Sequence, residues 1–487
     1  MEPSSTPPIL IIGAGPTGLG AAYRLHELGV SNFLVLERSQ DLGGLSYTHK
    51  DAQGFLWDLG GHVLFSHYEY FDRAVDEALA APIPSAAEPT AAWCHHQRAS
   101  WVWMRSRFIP YPLQSNLHRL PPDDLQVCLD GLVDIERAPI TGITSFADWI
   151  QAKFGPGLAE VFMTPYNSKV WGYPPAQLSA CWMGERVATV DLKKVLRNLV
   201  HGRDEQGWGP NATFRFPSQG GTGAIWAGMA ARVLPPSRLR LGAEVVAINT
   251  ASRVLTLASG ETLPYSALLS TMPMDTLLTR LTDQPALAPL AQRFVHSSTH
   301  VVGIGLAGKP PPCLAGKMWI YFPEEVCFYR VTLFSQYAPG NVPTPGSTWS
   351  LLAEVCETAL RPAPGGGGAQ AVLAAVLADL VAVGFVDAAA VPLSTFHRRL
   401  EYGYPTPFLG RDEAVHAVDG ALKPLGVYSR GRFGGWKYEC SNQDHSFMQG
   451  VEAVDAILSG GGEATFYTPH AVNSGGKRPL PTAGGTP

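Results

Sequence analysis

The N-terminal segment combines a short apolar run, a glycine-rich turn and a helical pattern. Residues 9–12 are all aliphatic and lead directly into the turn at 13–18, which has the spacing Gly-x-Gly-x-x-Gly. Apolar residues then recur at helical spacing over 19–28, and a second apolar run, 34–36, ends at Glu37. This succession predicts a strand–helix–strand unit of the kind that binds dinucleotides.

The remaining chain changes its hydrophobic period several times. Residues 121–200 carry apolar positions mainly at helical spacing, and 239–270 alternate as strands do. The alanine-rich stretch 370–383 predicts one more helix. Apolar runs that predict strands of a further sheet lie at 300–306, 318–322 and 349–355.

A second glycine-rich, polar loop lies near the C-terminus. Residues 430–436 precede 442–450, which are predicted to open a helix. The nucleotide-binding domain is therefore expected to be discontinuous, with pieces from the N-terminus, the middle and this region. A second helix N-terminus would face a flavin ring or its ribityl chain, which favours FAD over NAD as the tightly bound cofactor.

Composition excludes several classes of function. The 487 residues are 46% hydrophobic and 16% charged with a net charge of -5, which indicates a globular protein and argues against nucleic acid as a partner. Seven cysteines without a Cys-x-x-Cys pair predict reduced thiols, no metal site and a cytoplasmic location. The chain has no apolar run long enough for a bilayer and no secretory signal, so no membrane partner is expected.

The glycine-rich turn supplies what a bound dinucleotide requires. Gly13 permits the tight turn, Gly15 lets the backbone approach a pyrophosphate, and Gly18 lets the helix pack closely on the strand. The helix N-terminus offers free N–H groups to phosphates. Glu37, about twenty residues further on, can accept hydrogen bonds from ribose hydroxyls.

Several longer motifs together resemble those of one enzyme family. They lie at 60–67, 111–114, 165–171, 184–187, 209–217, 328–330, 403–407, 430–433 and 442–446. On these motifs the chain closely resembles the eukaryotic-type UDP-galactopyranose mutases, from about residue 9 to 465. The resemblance implies an isomerase that interconverts UDP-galactopyranose and UDP-galactofuranose without net redox change. In that family the N5 atom of reduced FAD attacks the anomeric carbon of galactose.

The resemblance also implies an α/β fold with three domains. These are a Rossmann-like FAD-binding domain, an inserted helical bundle and an antiparallel β-sheet domain. The expected segments are 1–96, 215–295 and 420–465 for the FAD-binding domain, 121–208 for the helical domain, and 97–120, 209–214 and 296–419 for the sheet domain. The Gly/Pro-rich segment 466–487 is expected to be a disordered tail.

The cofactor predictions combine the glycine-rich turn with the resemblance. FAD must be reduced for activity, and the resemblance implies NADPH as the reductant, bound by Arg98 and Ser100. His62 is expected to lie against the flavin. The predicted FAD-binding residues are Gly13, Gly15, Thr17, Gly18, Glu37, Arg38, Gly43, Gly44, Leu45, Gly60, Gly61, His62, Val245, Asn442, Gln443 and Ser446.

Binding a diphosphate favours arginine, because its guanidinium can donate two hydrogen bonds to phosphate oxygens. The resemblance assigns this task to Arg330 and Arg432, and gives catalytic roles to both, to His62 and to Arg186. The implied partners are the two UDP-sugars, and a homo-oligomer is left open. The implied substrate-binding residues are Tyr111, Gln114, Phe162, Met163, Asn167, Trp171, Arg186, Asn211, Tyr321, Arg330, Tyr337, Tyr404, Arg432 and Tyr438.

Two other interpretations remain open at this point. A flavin-dependent amine oxidase or protoporphyrinogen-type oxidase shares the N-terminal turn and the C-terminal loop, but it requires an apolar, largely uncharged substrate cavity. A non-catalytic FAD-binding redox sensor would bind flavin without converting UDP-sugars. Hydrogen peroxide formation with amines, compared with sugar isomerisation after reduction, separates the oxidase from the mutase.

Overall fold

The computed structural model describes residues 6–80, 92–206, 208–209 and 212–479. Its strands are β1 (Ile9–Ile12), β2 (Phe33–Leu36), β3 (Thr48–Lys50), β4 (Leu56–Asp58), β5 (Trp93–Gln97), β6 (Ser100–Met104), β7 (Arg107–Pro110), β8 (Thr213–Pro217), β9 (Leu239–Arg240), β10 (Val245–Asn249), β11 (Val254–Leu257), β12 (Thr262–Pro264), β13 (Ala267–Ser270), β14 (His296–Ala307), β15 (Trp319–Tyr321), β16 (Arg330–Thr332), β17 (Thr348–Glu357), β18 (Ser394–Pro405) and β19 (Val427–Ser429).

The α-helices connect and cover these strands. They are α1 (Pro16–Glu27), α2 (Glu69–Leu79), α3 (Pro122–Arg137), α4 (Phe146–Leu158), α5 (Thr164–Trp171), α6 (Leu192–His201), α7 (Gly223–Val233), α8 (Met274–Arg280), α9 (Ala369–Ala382), α10 (Arg411–Leu422), α11 (Gln443–Ser459), α12 (Ala464–Tyr467) and α13 (Pro469–Asn473). Within the described ranges, none of these helices has both the length and the apolar character needed to cross a membrane.

A five-stranded parallel sheet carries the glycine-rich turn. Its strand order is β19-β13-β1-β2-β9, so strands from three distant parts of the sequence meet in one sheet. All four residues of β1 are buried. Ile9 and Ile11 pack against α1, α7 and α11, while Leu10 and Ile12 pack on the opposite face with α8 and α10. Burial on both faces explains why β1 is a continuous apolar run.

A seven-stranded sheet forms the second large layer, in the order β18-β14-β17-β16-β15-β6-β7. Its neighbours are antiparallel except for β15 and β6, which are parallel. Helix α9 covers one face, where Val372, Val376 and Leu380 are buried against the strands. The opposite face packs on Phe55 and Trp57, which belong to the segment following the glycine-rich turn.

Helices α3 to α6 form a separate helical region around a core of aromatic and aliphatic side chains. Ser145 begins α4 with a capping box, because its side chain accepts from the N–H of Asp148 and the Asp148 carboxylate accepts from the N–H of Ser145. Gly155 adopts a φ of 71° within α4 and bends it. A π-helical turn at Ala159–Met163 then leads into α5.

Two of the predicted domain limits are wrong. The segment from 466 was expected to be a disordered tail, but it continues through α12 and α13, and Phe466 and Val472 are fully buried. The limit at 420 divides α10, whose Val415 and Val418 are buried against the parallel sheet. Helix α10 therefore belongs with the nucleotide-binding domain. In addition, the expected limits at 96 and 214 fall inside strands β5 and β8, which pair with each other along their whole length.

Candidate active site

The glycine-rich turn after β1 accommodates a ligand at one position and tight packing at two others. Gly13 has a φ of 100°, and a Cβ there would lie 2.0 Å from Thr271 Oγ1. A Cβ at Gly18 would lie 1.9 Å from the carbonyl oxygen of Gly13. A Cβ at Gly15 would lie 3.7 Å from the carbonyl oxygen of Gly43 and the Cα of Gly44, which is ordinary van der Waals contact, so this position is less crowded than the other two. Gly15 caps α1 without a side-chain hydrogen bond, which leaves the helix N-terminus available to phosphate.

Glu37 lies beside this turn at the end of β2. Its Oε2 accepts from the N–H of Ala14 at 2.8 Å, and its Oε1 accepts from the N–H of Ser39 at 2.9 Å. The carboxylate is therefore held next to the N-terminus of α1, where a ribose would follow the pyrophosphate. The next residue, Arg38, is exposed.

A short turn at Gly43, Gly44 and Leu45 covers the open side of Gly15. A Cβ at Gly44 would lie 3.3 Å from the Cα of Gly15. The two backbones thus border the same space, as the cofactor prediction requires. Val245 differs from the other predicted cofactor residues, because its side chain is buried in the apolar core on one face of the parallel sheet.

The N-terminus of α11 lies close to that of α1. Asn442 caps α11 without a side-chain hydrogen bond. Gln443 Oε1 accepts from Trp226 Nε1 at 3.0 Å, and Ser446 is buried. A Cβ at Gly450 would lie 2.0 Å from the carbonyl oxygen of Thr17, so the two helices can pack this closely only with glycine there.

The loop of Gly60, Gly61 and His62 connects the nucleotide-binding elements to the seven-stranded sheet. The N–H of Gly61 donates to Glu354 Oε1 at 3.0 Å. His62 Nδ1 lies 3.8 Å from Asp58 Oδ2 and is buried without a hydrogen-bond partner among the described residues. An unpartnered polar atom beside a flexible glycine pair fits the polar edge of a flavin.

Arg330 is ion-paired with a buried glutamate on the neighbouring strand. The register of β16 and β17 places Arg330 directly opposite Glu354, and its Nε and Nη2 donate to that carboxylate at 2.9 and 2.7 Å. Tyr329 Oη also donates to Glu354, at 2.7 Å. Burial works to raise the pKa of Glu354, but the guanidinium and these hydrogen bonds hold it below its ordinary value. Only Nη1 of Arg330 is left without an acceptor within the described ranges.

Arg432 has no carboxylate partner in the part of the chain that the structure describes. Its Nη1 donates to Ser441 Oγ at 3.0 Å, and its Nη2 donates to the carbonyl oxygen of Gly403 at 3.1 Å. The guanidinium lies 5.0 Å from the ring centre of Tyr404. Burial lowers the pKa of Arg432, and the nearby Arg186 guanidinium lowers it further. This partly buried positive charge is therefore available to an anion.

Three partly exposed tyrosines lie around the two arginines. Together they form a group that is called the arginine–tyrosine cluster below, and its members are Arg330, Arg432, Tyr321, Tyr404 and Tyr438. The rings of Tyr404 and Tyr438 are 5.8 Å apart, and the guanidinium of Arg432 lies near both rings. These tyrosines supply hydroxyl donors around the arginines.

The helical region contributes an aromatic wall to this cluster. Trp171 is buried, with ring centres 4.9 Å from Tyr438 and 5.7 Å from Tyr404. On another side, Tyr111 lies 5.3 Å from Tyr321 between ring centres. Tyr166, which the sequence analysis did not single out, lies 5.6 Å from Tyr321. Flat aromatic faces of this kind suit the stacking of a nucleobase.

Four further predicted residues lie in the same helical region. Phe162 and Met163 are buried in its core, and Phe162 stacks on Tyr166 with ring centres 5.5 Å apart. Asn167 Nδ2 donates to the carbonyl oxygen of Met163 at 2.7 Å. Gln114 Nε2 donates to the carbonyl oxygen of Ala188 at 2.5 Å. Gln114 Oε1 is buried without a hydrogen-bond partner in the described part of the chain, which leaves it as an acceptor for a ligand.

Arg186 lies on a short 3-10 turn, Gly184–Arg186, that reaches the arginine–tyrosine cluster. Its Nη2 donates to the carbonyl oxygen of Glu439 at 2.6 Å, and the guanidinium lies 5.8 Å from the ring centre of Tyr438. Its Nε is buried without a partner within the described ranges. Arg186 thus connects the helical region to the segment that carries Tyr438.

The remaining predicted residues lie at the edges of the site. Arg98 Nε donates to Ser100 Oγ at 2.9 Å, and the Arg98 guanidinium lies 4.9 Å from the ring centre of Tyr111. Tyr337 is fully buried, with a hydroxyl that has no described hydrogen-bond partner. Asn211 lies outside the described residues.

Comparison with known proteins places this site in a family. The profile of the flavin-containing amine oxidoreductases matches residues 16–313. A crystal structure of reduced UDP-galactopyranose mutase is similar to this chain at 44% identity, covering 96% of this chain and 99% of that one, with a TM-score of 0.90. The chain belongs to the UDP-galactopyranose mutase family. The α/β flavoprotein fold and the FAD cofactor predicted from the sequence are thereby confirmed.

More distant flavoproteins share the fold alone. A putative protoporphyrinogen oxidase from Exiguobacterium sp. 255-15 is 18% identical with a TM-score of 0.69, covering 93% of this chain and 99% of that chain. Cyclohexylamine oxidase from Brevibacterium oxydans is 17% identical with a TM-score of 0.63, covering 93% of this chain and 98% of that chain. At these identities the similarity shows a shared fold, and it does not support the oxidase interpretation beyond that.

Glu354 is the main site residue that sequence reasoning missed. It is 2% exposed, and it joins the histidine loop to Arg330 through the bonds described above. In β17, Glu354 stands between Ala353 and Val355 in a buried apolar run, and that is a usable signal, because a buried carboxylate requires a partner. Sequence reasoning also missed Glu439. Its carboxylate accepts from the buried Arg411 at 2.6 and 2.8 Å.

One group of potential metal ligands occurs among the described residues. His67, Asp444 and His445 are all buried, and their ligand atoms lie within 4.8 Å of one another. His67 Nδ1 donates to Asp444 Oδ2 at 2.7 Å, which is a hydrogen-bond distance. His445 Nε2 donates to Asn473 Oδ1 at 2.8 Å. Asp444 Oδ1 and His445 Nδ1 lie 3.2 Å apart and have no hydrogen-bond partner among the described residues. Hydrogen bonds therefore account for only part of this group, and the expectation of no metal site stays a prediction.

Proposed function

We propose that this chain is a UDP-galactopyranose mutase, an isomerase that interconverts UDP-galactopyranose and UDP-galactofuranose. The observation that carries the proposal is Arg432, a partly buried guanidinium with no described carboxylate partner inside an arginine–tyrosine cluster. The cluster is joined to the FAD-binding elements on two sides. Arg432 contacts Ser441 next to the N-terminus of α11, and Arg330 shares Glu354 with Gly61. The 44% identity to a UDP-galactopyranose mutase supports the same function.

Reduced FAD, when bound, supplies the N5 nucleophile for the anomeric carbon of galactose. Arg432 and the free Nη1 of Arg330 bind the diphosphate and stabilise the charge on UDP as it departs. Tyr404, Tyr438 and Tyr321 donate hydroxyl hydrogen bonds around these arginines. Glu354 orients Arg330, so that its guanidinium faces the substrate in one fixed direction.

The helical region binds the uridine. Gln114 Oε1, which is buried and unpartnered, accepts a hydrogen bond from the uracil N3–H. Tyr111 and Tyr166, both partly exposed, provide aromatic faces for the base, and the buried Trp171 supports Tyr404 and Tyr438 from the core. Asn167 lies on the same side, and the remaining predicted substrate residues, Phe162, Met163 and Tyr337, support these walls from the core.

The nucleotide-binding elements hold FAD. The pyrophosphate lies at Gly15 and the N-terminus of α1, and Glu37 accepts from the adenosine ribose. Asn442, Gln443 and Ser446 present the N-terminus of α11 to the flavin half. His62, whose buried Nδ1 has no hydrogen-bond partner among the described residues, would contact the polar edge of the flavin.

The finer assignments concern the family type, the reductant and the location. The eukaryotic type is supported by the motifs at 165–171, 209–217 and 442–446. NADPH is the proposed reductant, with Arg98 and Ser100 at its adenosine phosphate. The seven cysteines all lie in the described part of the chain and none forms a disulfide, which supports the proposed cytoplasmic location.

The test is to incubate the purified holoenzyme with UDP-galactofuranose under nitrogen, with and without NADPH or dithionite. Formation of UDP-galactopyranose only with reductant is expected. Flavin binding without any sugar conversion would overturn the proposal in favour of a redox sensor. Hydrogen peroxide formation with amines in air, without sugar conversion, would overturn it in favour of an oxidase.

A further inference from the structure

The C-terminal segment contacts the active-site elements at several separate points. It comprises α12, α13 and the residues up to 479, and it is defined here as the C-terminal clamp. Lys437 Nζ donates to the carbonyl oxygen of Phe466 at 2.9 Å. Asn473 Nδ2 donates to the carbonyl oxygen of Glu439 at 2.8 Å. Both hydrogen bonds fix the backbone or side chains of segment 437–441, which carries Tyr438 of the arginine–tyrosine cluster.

The same carbonyl oxygen of Glu439 also accepts from Arg186, at 2.6 Å. One backbone oxygen therefore joins the clamp, the Tyr438 segment and the loop of the helical region. The Glu439 carboxylate is ion-paired with the buried Arg411, so this acceptor has little freedom to move. Asn473 and Arg411 fix Glu439, and the hydrogen bond from Arg186 to Glu439 consequently fixes the position of Arg186.

A second contact reaches the Arg186 loop directly. His470 Nε2 donates to the carbonyl oxygen of Cys181 at 3.0 Å. A Cβ at Gly184, in the turn that carries Arg186, would lie 3.5 Å from His470 Nδ1. Two hydrogen bonds therefore hold the loop: one from His470 of the clamp to Cys181, and one from Arg186 to Glu439.

The clamp also reaches the nucleotide-binding side. Asn473 Oδ1 accepts from His445 Nε2 at 2.8 Å, near the N-terminus of α11. The N–H of Arg478 donates to the carbonyl oxygen of His67 at 2.7 Å, and the N–H of Glu69 donates back to Arg478 at 2.9 Å. The segment following the histidine loop is therefore tied to the clamp as well.

We propose that the C-terminal clamp positions Arg186 and Tyr438 for the UDP-sugar, with Asn473 and His470 as positioning residues that do not touch the substrate. This inference rests on the proposed function of the site. Arg186 and Tyr438 are then binding residues for the UDP part of the substrate, in place of the catalytic role that the resemblance implies for Arg186. UDP is held in both the ground state and the transition state, so misplacement of these residues weakens both alike. KM then rises while kcat is preserved.

The test compares Asn473→Asp and His470→Ala with the wild-type holoenzyme. Asn473→Asp keeps an acceptor for His445 but removes the donor to Glu439, and His470→Ala removes the bond to Cys181. Thr468→Ala is the matched control, because its hydroxyl bonds only within the clamp, to the carbonyl oxygen of Ala464. Isothermal titration of the oxidised holoenzyme with UDP and steady-state kinetics are the first two measurements.

Both variants are expected to raise the Kd for UDP and the KM for the UDP-sugar by about 3- to 10-fold, as the loss of one hydrogen bond predicts. The kcat is expected to change by less than about 2-fold, and His470→Gln, which restores a donor, is expected to recover the wild-type KM. If the wild-type protein binds UDP and both variants bind it with the same affinity, the positioning role of the clamp is refuted. The proposed function is unaffected by that result.

A third measurement does not depend on the proposed function. Trypsin cleavage after Arg186, followed by mass spectrometry without UDP, reports how firmly the loop is held. Cleavage is expected to be faster by about 3- to 10-fold in both variants and unchanged in Thr468→Ala. Equal cleavage rates in all four proteins would overturn the clamp. Faster cleavage in a protein that neither binds UDP nor converts UDP-sugars would support the clamp and refute the proposed function.

Discussion

The two arginines of the active-site cluster differ in what balances their charge. Arg330 shares two hydrogen bonds with the buried Glu354, and its free Nη1 is the part that can reach a ligand. Arg432 donates only to a hydroxyl and a carbonyl oxygen. An anion therefore gains more from Arg432, because no carboxylate among the described residues competes for its charge.

Replacing Arg432 with alanine is expected to lower kcat by about 100- to 1000-fold, the usual effect of removing one donor to a developing anion. FAD content, measured by flavin absorbance, is expected to stay at the wild-type level, since Arg432 holds no FAD-binding element in place through a charge pair. Arg398→Ala is the matched control, because Arg398 is exposed and distant from the cluster. Wild-type turnover in Arg432→Ala would contradict the assignment.

Lys169 is a buried cation without a carboxylate partner within the described ranges. Its Nζ donates to the carbonyl oxygens of Phe322 and Glu324 at 3.0 and 2.7 Å, so it fastens α5 to the loop between β15 and β16. Burial lowers the pKa of Lys169 to about 7. The folded chain gives up this proton near neutral pH, whereas an unfolded chain keeps it to about pH 10.

The unfolded state then binds more protons than the folded state above pH 7, so this lysine makes the free energy of unfolding rise with pH, by about 1.4 kcal/mol per unit. Lys169→Met is expected to lack that rise. Thermal unfolding midpoints of both proteins between pH 7 and 9 measure it. The exposed Lys153→Met serves as control and should follow the wild type. Parallel curves for Lys169→Met and wild type would show that the lysine stays charged.

At the scale of elements, the cofactor site depends on how closely two helices pack. Helices α1 and α11 meet at Thr17 and Gly450, where a Cβ would lie 2.0 Å from a backbone oxygen. The oxygen belongs to a helix backbone and cannot yield as a flexible side chain could. Any side chain at Gly450 must therefore push the two helix N-termini apart, together with the phosphate-binding N–H groups.

Gly450→Ala is accordingly expected to reduce FAD content and to lower the unfolding midpoint, with a cost of about 1 to 3 kcal/mol from overpacking. Gly420→Ala is the matched control. Gly420 also lies inside a helix, α10, but a Cβ there would meet no atom within 4 Å. That variant should gain about 0.5 to 1 kcal/mol, because alanine favours the helix. A stabilised, FAD-saturated Gly450→Ala would refute the packing argument.

The elements that could be predicted from the sequence are those encoded by neighbouring residues. β1, α1 and β2 were predicted because the apolar run, the glycines and the helical period lie within thirty residues. Glu354 was missed because its pairing with Arg330 arises only when β16 and β17 align in antiparallel register. The C-terminal helices were missed because Gly/Pro-rich composition obscures two anchors, Phe466 and Val472, whose burial depends on distant partners.

At the scale of the whole molecule, the reductant and the sugar nucleotide are expected to share one cavity. Trp319 on the seven-stranded sheet connects their proposed sites. The guanidinium of Arg98 lies 5.7 Å from its ring centre, and that of Arg330 lies 5.2 Å from it. Strand register also places Ser100 directly opposite Trp319. A dinucleotide held at Arg98 and Ser100 therefore extends toward the diphosphate site at Arg330.

UDP is consequently expected to compete with NADPH in the reduction of FAD, raising the apparent KM for NADPH without changing the maximal rate. Stopped-flow absorbance of the flavin under nitrogen measures this. Reduction by dithionite, which needs no nucleotide site, should be unaffected by UDP. Arg98→Ala is expected to raise the KM for NADPH by about 10-fold or more through loss of a charged hydrogen bond. Arg107→Ala, an exposed arginine on the adjacent strand, should leave it unchanged. If UDP lowered only the maximal rate, the two nucleotides would bind at separate places and the shared cavity would be excluded.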